Sequence, residues 1–235
     1  MLSDKQDAIQ EDDQWISLSD LMTGLMMVFM LVAISFMLKV EADAEQTRNV
    51  ALVYEGVRKD LYQSLNQEFE KDLSVWGAEL NAENMSIRFK EPDVLFNRGE
   101  DTLKPEFKKI LDDFFPRYVK IITSEKYKGS IEEVRIEGHT SSIWNTSVTK
   151  EDAYFLNMGL SQSRTRSTLQ YILSLRKIQS DVPWLTQKMT ANGLSSSKPI
   201  LNNNGEENQT LSQRVEFRIR TDAESRMTNI LEGIK

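Results

Sequence analysis

Leu21 to Leu38 is a run of 18 residues without a charge, LMTGLMMVFMLVAISFML. It restricts the fold more than any other stretch of the chain. At 1.5 Å rise per residue a helix of this length covers roughly 27 Å, close to the hydrocarbon thickness of a bilayer. Extended back to Trp15, the span becomes residues 15–39 and encloses a single acid, Asp20, near its start. A signal peptide fits poorly. The residues before Trp15 hold five acids against one base, the run is long for such a leader, and no small-x-small cleavage pattern follows. A retained anchor is the expectation. The flanks give no usable orientation, because Lys39 to Arg48 also carries more acids than bases.

A carboxylate at membrane depth costs several kcal/mol unless it is neutralised or paired. At 100° per residue, Ser17, Thr23, Gly24, Met27 and Leu31 share the face of Asp20, whereas Met22, Leu25, Met26 and Phe29 point away. The acid therefore sits on the small, hydroxyl-bearing side, the side suited to another helix. Two readings stay open at this level. Asp20 carries an ion, as acids within spans usually do, or it caps the N-terminal end of the helix, where the dipole favours a negative charge.

The remaining chain excludes several functions. Thirty-six acids against 29 bases, net −7, leave no basic excess for nucleic acid. No cysteine and a single histidine, His139, argue against disulfides, thiolate sites and zinc. Residues 1–14 form a short polar tail. Residues 40–82 are expected to be a helical linker, because Val50, Val53, Tyr54, Val57, Leu61, Leu65, Phe69, Leu73, Trp76 and Leu80 recur at steps of three and four. Such a stripe predicts a stalk that packs on a neighbour or a dimer mate.

From residue 83 to 221 the pattern is that of an α+β domain. MSIRF alternates as a strand, and TLKPEFKKILDDFFPRYVKII is helical, with Thr102 a candidate cap and Pro105 in the first turn. VRIEGH is a second strand. A long helix follows, with its apolar face at Leu160, Leu169, Ile172 and Leu173. QKMTANGLS and RVEFRIR are the last two strands. The order βαβαββ predicts a small mixed sheet with helices. Residues 222–235 are a polar tail. His139, Ser141 and Asp152 make a weak hydrolase triad without a nucleophile elbow, and no enzymatic activity is expected. A polar pocket between a strand end and a helix, with Arg164 as a carboxylate-binding fork, is the better reading.

GHTSS followed by LNMGLSQSRTRSTLQYIL resembles the OmpA-type peptidoglycan-binding domain, with its Gly-x-Thr-Asp turn and Asn-x-x-Leu-Ser-x-x-Arg helix. DVLFNRGEDTLKPE, ANGLSSSKPI and QRVEFRI are similar to its other blocks, in order. SDLMTGLMMVFMLVAISF resembles the membrane segment of flagellar, MotB-like stator B subunits. The Met-rich span and the GHTSSIW…AYF insertion resemble the B subunits of Zorya-type anti-phage systems. The resemblance implies that Asp20 is the ion-carrying carboxylate, with Ser17, Thr23 and Gly24 along the ion path. It also implies that Thr140, Ser141, Asn157, Leu160, Arg164 and Arg214 contact peptidoglycan. One position departs from the pattern. The family's acid after Gly-x-Thr, which pairs with the ammonium of diaminopimelate, is Ser141 here, and a serine cannot supply that charge. Asp152 is a candidate substitute.

The architecture so implied is a single-pass protein of the bacterial inner membrane, with a cytoplasmic N-terminus and a periplasmic C-terminal domain. Two copies would sit inside a ring of five polytopic A-type subunits. No cofactor is implied beyond the transported ion, H⁺ or Na⁺. Three alternatives remain at this level: a flagellar stator, a passive membrane-to-wall anchor, and a biopolymer-transport subunit, against which the OmpA-like blocks speak.

Overall fold

A computed structural model gives the backbone of residues 2–90, 92–145 and 147–222, with side chains described throughout these except at 2–18, 46–47, 49–54 and 91–93. The chain divides into two compact units, Met1–Val53 and Tyr54–Lys235. The first helix, α1 (Leu2–Leu73), contributes to both, and the polar tail is helical from Leu2. Within it, Ser19–Glu45 is long and apolar enough to cross a membrane, with mean hydropathy 2.4.

The second unit is α+β. A five-stranded sheet has the order β1 (Ala78–Asn81), β2 (Ser86–Phe89), β5 (Arg214–Thr221), β3 (Ile131–His139), β4 (Met189–Gly193). Only β3 and β4 are parallel, joined through α4 (Lys150–Leu173) and the short α5 (Val182–Lys188). The other helices are α2 (Pro92–Leu95), α3 (Pro105–Ile122) and α6 (Gln209–Ser212). The four strands expected from alternation are present, and β1 is an additional edge strand. Helix α3 starts later than the sequence suggests. Lys104, not Thr102, precedes Pro105 at its start, and no side chain caps it.

The core explains the sheet. Ile87, Phe89, Val134, Ile136, Val215, Phe217 and Ile219 alternate inward and are at most 2 % exposed. They meet Phe107, Leu111, Phe114, Phe115 and Tyr118 from α3. Phe217 and Phe114 stand 5.2 Å apart, and Phe89 and Phe114 5.3 Å, both edge-on. Pro116 inside α3 removes one helical hydrogen bond, and seven buried residues on the same helix outweigh that loss.

The linker expectation needs correction here. Leu61, Leu65 and Phe69 are fully buried in this same core, with the Phe69 and Phe114 rings 5.3 Å apart. Helix α1 stops at Leu73, Gly77 turns the chain at φ 59°, and Leu80 belongs to β1. The lower part of the apolar stripe thus serves its own domain, because residues 61, 65 and 69 fall on one helical face opposite the α3 aromatics. Arg117 ties the two helices, its Nε donating to Glu68 (2.7 Å) and its Nη2 to Asp72 (2.8 Å). The side chains of Val50, Val53 and Tyr54 lie outside those described.

The inward face of α4 also differs from expectation. Ile172 is buried, Leu169 and Leu173 are half-buried, and the rest of the inner face is Ala153, Asn157, Ser161, Arg164, Thr165 and Thr168. Two glycines account for this polar, small-residue face. A Cβ on Gly138 would lie 2.8 Å from the Ser161 carbonyl oxygen, and one on Gly193 2.3 Å from the Gln162 nitrogen. Backbone meets backbone there, so small side chains replace leucines.

The opposite face of the sheet is charged. Glu79, Arg88, Glu216 and Glu137 face one another across β1, β2, β5 and β3 in register. Arg88 donates to both Glu79 (2.8 Å) and Glu216 (2.9 Å).

Candidate functional site: an acid in the span and a cleft beyond the end of β3

In the first unit Asp20 is the second residue of the apolar segment. Helical geometry puts Thr23 and Gly24 on its face one turn on. The Thr23 hydroxyl donates to the Ser19 carbonyl at 2.8 Å, which leaves its oxygen lone pairs free to accept. A Cβ on Gly24 would meet nothing within 4 Å, so the helix is notched beside the acid. Ser17 lies in α1, and its side chain is outside those described.

In the second unit a cleft of about 600 Å³ opens beyond the end of β3. Its walls come from the turn after β3, from α4, from the loop before α3 and from the start of α6. The turn is held at several points. Thr140 N–H donates to the Ser195 carbonyl (3.0 Å), Leu194 N–H to the Gly138 carbonyl (2.8 Å), and the Asn157 amide to the Ser141 carbonyl (3.1 Å). Glu207 accepts from the Ser142 N–H at 3.0 Å and from its hydroxyl.

Arg164 holds the other wall. Its Nε donates to the Glu100 carbonyl (2.8 Å) and its Nη2 to the Asn97 carbonyl (3.0 Å), with the guanidinium 4.8 Å from the Phe96 ring centre. Burial pushes its pKa down to about 10, and the charge of Asp101 opposes that shift. Gly99, at φ 76°, shapes the turn that Arg164 clamps.

Thr140, Ser141, Asn157, Leu160 and Arg164 all line this cleft. Arg214 does not line it. It is 6 % exposed, donates from Nε to Glu216 (2.6 Å) and from Nη1 to the Lys198 and Ser212 carbonyls, and faces a one-water cavity of about 10 Å³ shared with His139 and Arg164. Alternation on β5 puts it on the charged face of the sheet, beside Glu216. Asp152 is likewise engaged elsewhere, in a capping pair with Thr149 at the start of α4 (3.1 and 2.7 Å). Arg98, Gln209 and Gln213, which the sequence did not single out, also line the cleft, as does Trp144 at the end of the GHTSSIW stretch. The only local signal for Arg98 is the turn-forming Gly99 beside it.

Glu137, His139 and Glu216 place three donor atoms within 4.8 Å of one another. They do not fit a metal ion, because the guanidinium groups of Arg88 and Arg214 already hold Glu216 at 2.9 and 2.6 Å. Burial raises the carboxyl of Glu216, but the Arg214 hydrogen bond and the charges of Arg214 and Arg88 outweigh this and hold it down at about 2. His139 is 3 % exposed, with Nε2 3.8 Å from Glu137 and 3.7 Å from Glu216.

The OmpA family profile matches residues 95–212, the span that builds this cleft. The Zorya protein ZorB of Escherichia coli strain Crooks is 46 % identical over 223 residues, covering 95 % of this chain and 94 % of the relative. The chain belongs to the ZorB family. A second ZorB, from Escherichia coli O139:H28, is 25 % identical over 87 % of this chain and 79 % of its own length. A MotB-like protein structure from Desulfovibrio vulgaris superposes with TM-score 0.50 at 19 % identity, covering 74 % of this chain and 98 % of that one, a likeness of fold. In this ZorB-family chain an apolar N-terminal helix precedes an OmpA-family α+β domain.

Proposed function

We propose that this chain is the B subunit of an ion-driven rotary complex of the bacterial inner membrane, with the proton as its driving ion, that is anchored to peptidoglycan and serves anti-phage defence. The observation that carries the reading is Asp20, the one acid between Trp15 and Leu38, on a face with Thr23 and the notch at Gly24. A ring of A-type subunits, five around two B chains, would surround that face, with the N-terminus cytoplasmic and the OmpA-family domain periplasmic. Neutralisation of Asp20 by H⁺ or Na⁺ removes the penalty of a bare carboxylate and changes its contacts with the ring; release on the other side restores the charge. Each elementary charge crossing 100 mV supplies roughly 2.3 kcal/mol. The cleft would grip the wall and hold the B chains fixed while the ring turns. Likeness to ZorB over nearly the whole chain supports defence over flagellar service.

Replacing Asp20 by Asn in the complete complex tests the motor. The expected result is an assembled complex that no longer protects cells from phage. Full protection with intact assembly would leave only a passive anchor.

A further inference from the structure

We propose that His139 is a proton-operated release behind the cleft: uncharged, it leaves Arg164 clamped and the wall gripped, and charged, it drives Arg164 off its clamp. This rests on the wall-binding reading and adds a regulation of the same site.

His139 lies behind the cleft without lining it. It is 3 % exposed, and neither ring nitrogen has a hydrogen-bond partner among the described residues. The one-water cavity of about 10 Å³ beside it is also lined by Arg164, Gln213 and Arg214. Arg164 and Gln213 line the cleft as well, so cavity and cleft share a wall. A proton on His139 therefore sets a third cation against two guanidiniums across a space for one water.

The surrounding charges decide which guanidinium yields. Glu137 on β3 stands 3.8 Å from Nε2 and Glu216 on β5 3.7 Å, both beyond hydrogen-bond reach. Arg218 and Lys198 act on Glu137, whereas Arg88 and Arg214 hold Glu216 at 2.9 and 2.6 Å. Arg214 is thus locked by a carboxylate. Arg164, from α4, is held by the neutral carbonyls of Asn97 and Glu100 and by the Phe96 ring, with the charge of Asp101 nearby. Neutral acceptors hold a guanidinium less firmly than a carboxylate does, so the repulsion moves Arg164. The turn it clamps carries Arg98 and Gly99, which line the cleft, and goes with it.

Burial lowers the pKa of His139 against the pull of Glu137 and Glu216, so the ring is neutral near pH 7 and takes its proton only below 6.5. Grip and protonation then oppose each other, and by reciprocity a bound wall fragment makes His139 harder to protonate.

The test is a pull-down of the full chain, in detergent micelles, with purified sacculi from about pH 7.5 to 4.5, with circular dichroism at each step. Binding by the parent chain is expected to fall by about ten-fold while the chain stays folded, and His139→Gln is expected to hold level. Sacculi titrate their own carboxylates, but both chains meet that change alike. His139 is the only histidine, so one Cε1–H resonance follows its titration in the parent chain without any variant. A soluble lysozyme digest of the sacculi is expected to lower that midpoint by about one pH unit, and this decides where His139→Gln fails to fold. A level parent profile, an equal fall in folded His139→Gln, unfolding in place of release, or an unmoved midpoint overturns the proposal and leaves the wall reading standing. Sacculi bound at no pH overturn both.

Discussion

Arg214 and Glu216 stand two residues apart on β5 and share a 2.6 Å hydrogen bond, both almost wholly buried. Glu216 also takes Arg88 and the Ser86 hydroxyl, at 2.9 Å each. Replacing Glu216 by Ala takes the carboxylate from the buried Arg214 and leaves the half-buried Arg88 with Glu79 alone, and should cost about 3–5 kcal/mol, read as a loss in chemical-denaturation midpoint.

The same carboxylate sets an acid limb. Its ordinary value is 4.5 and its folded value about 2, so the unfolded chain takes up the proton first. Stability from this group is whole above about pH 4.5 and is lost as pH falls toward 2, by about 3 kcal/mol in all. Glu216→Gln should flatten that limb relative to the parent chain.

His139 adds a second limb. Burial lowers its pKa, Glu137 and Glu216 oppose the shift, and Arg214 reinforces it. The folded chain thus resists protonation that the unfolded chain accepts, and stability is lost as pH falls below 6.5. His139→Leu should remove the slope just below that pH in melting curves.

Two buried hydroxyls separate stability from binding. Tyr118 Oη and Thr140 Oγ1 have no hydrogen-bond partner among the described residues. Tyr118→Phe should raise stability by about 1 kcal/mol and leave sacculus binding unchanged. Thr140→Val should hold or raise stability and lower sacculus pull-down several-fold, because only Thr140 lines the cleft.

The domain boundary is testable by truncation. A fragment starting at residue 83, where the strand pattern begins, lacks β1 and the buried Leu61, Leu65 and Phe69. Losing even one such side chain costs about 2–5 kcal/mol. The 83–235 fragment should therefore show no cooperative melt by circular dichroism, whereas 54–235 should melt cooperatively.

Gly193→Ala should destabilise the domain by several kcal/mol, since the new methyl would lie 2.3 Å from backbone that cannot yield. Gly24→Ala, in open space, should leave melting unchanged.

Local pattern carried much of this protein. An uncharged run of bilayer length, an acid on its small-residue face and four alternating strands depend only on neighbours in sequence, so the span, the face of Asp20 and the α+β order were legible from the chain itself. So were five residues that the fold gathers into one cleft, Thr140, Ser141, Asn157, Leu160 and Arg164. Tertiary structure decided what depended on distant partners. The stripe at Leu61, Leu65 and Phe69 reads the same whether it meets a dimer mate or its own α3, and only the folded core distinguishes them. That Arg214 donates to Glu216 also depends on the fold around β5. Arg98 looked like any loop cation until two carbonyls on Arg164 brought its turn to the cleft. Periodicity says which face of an element is apolar, whereas only packing says what that face touches.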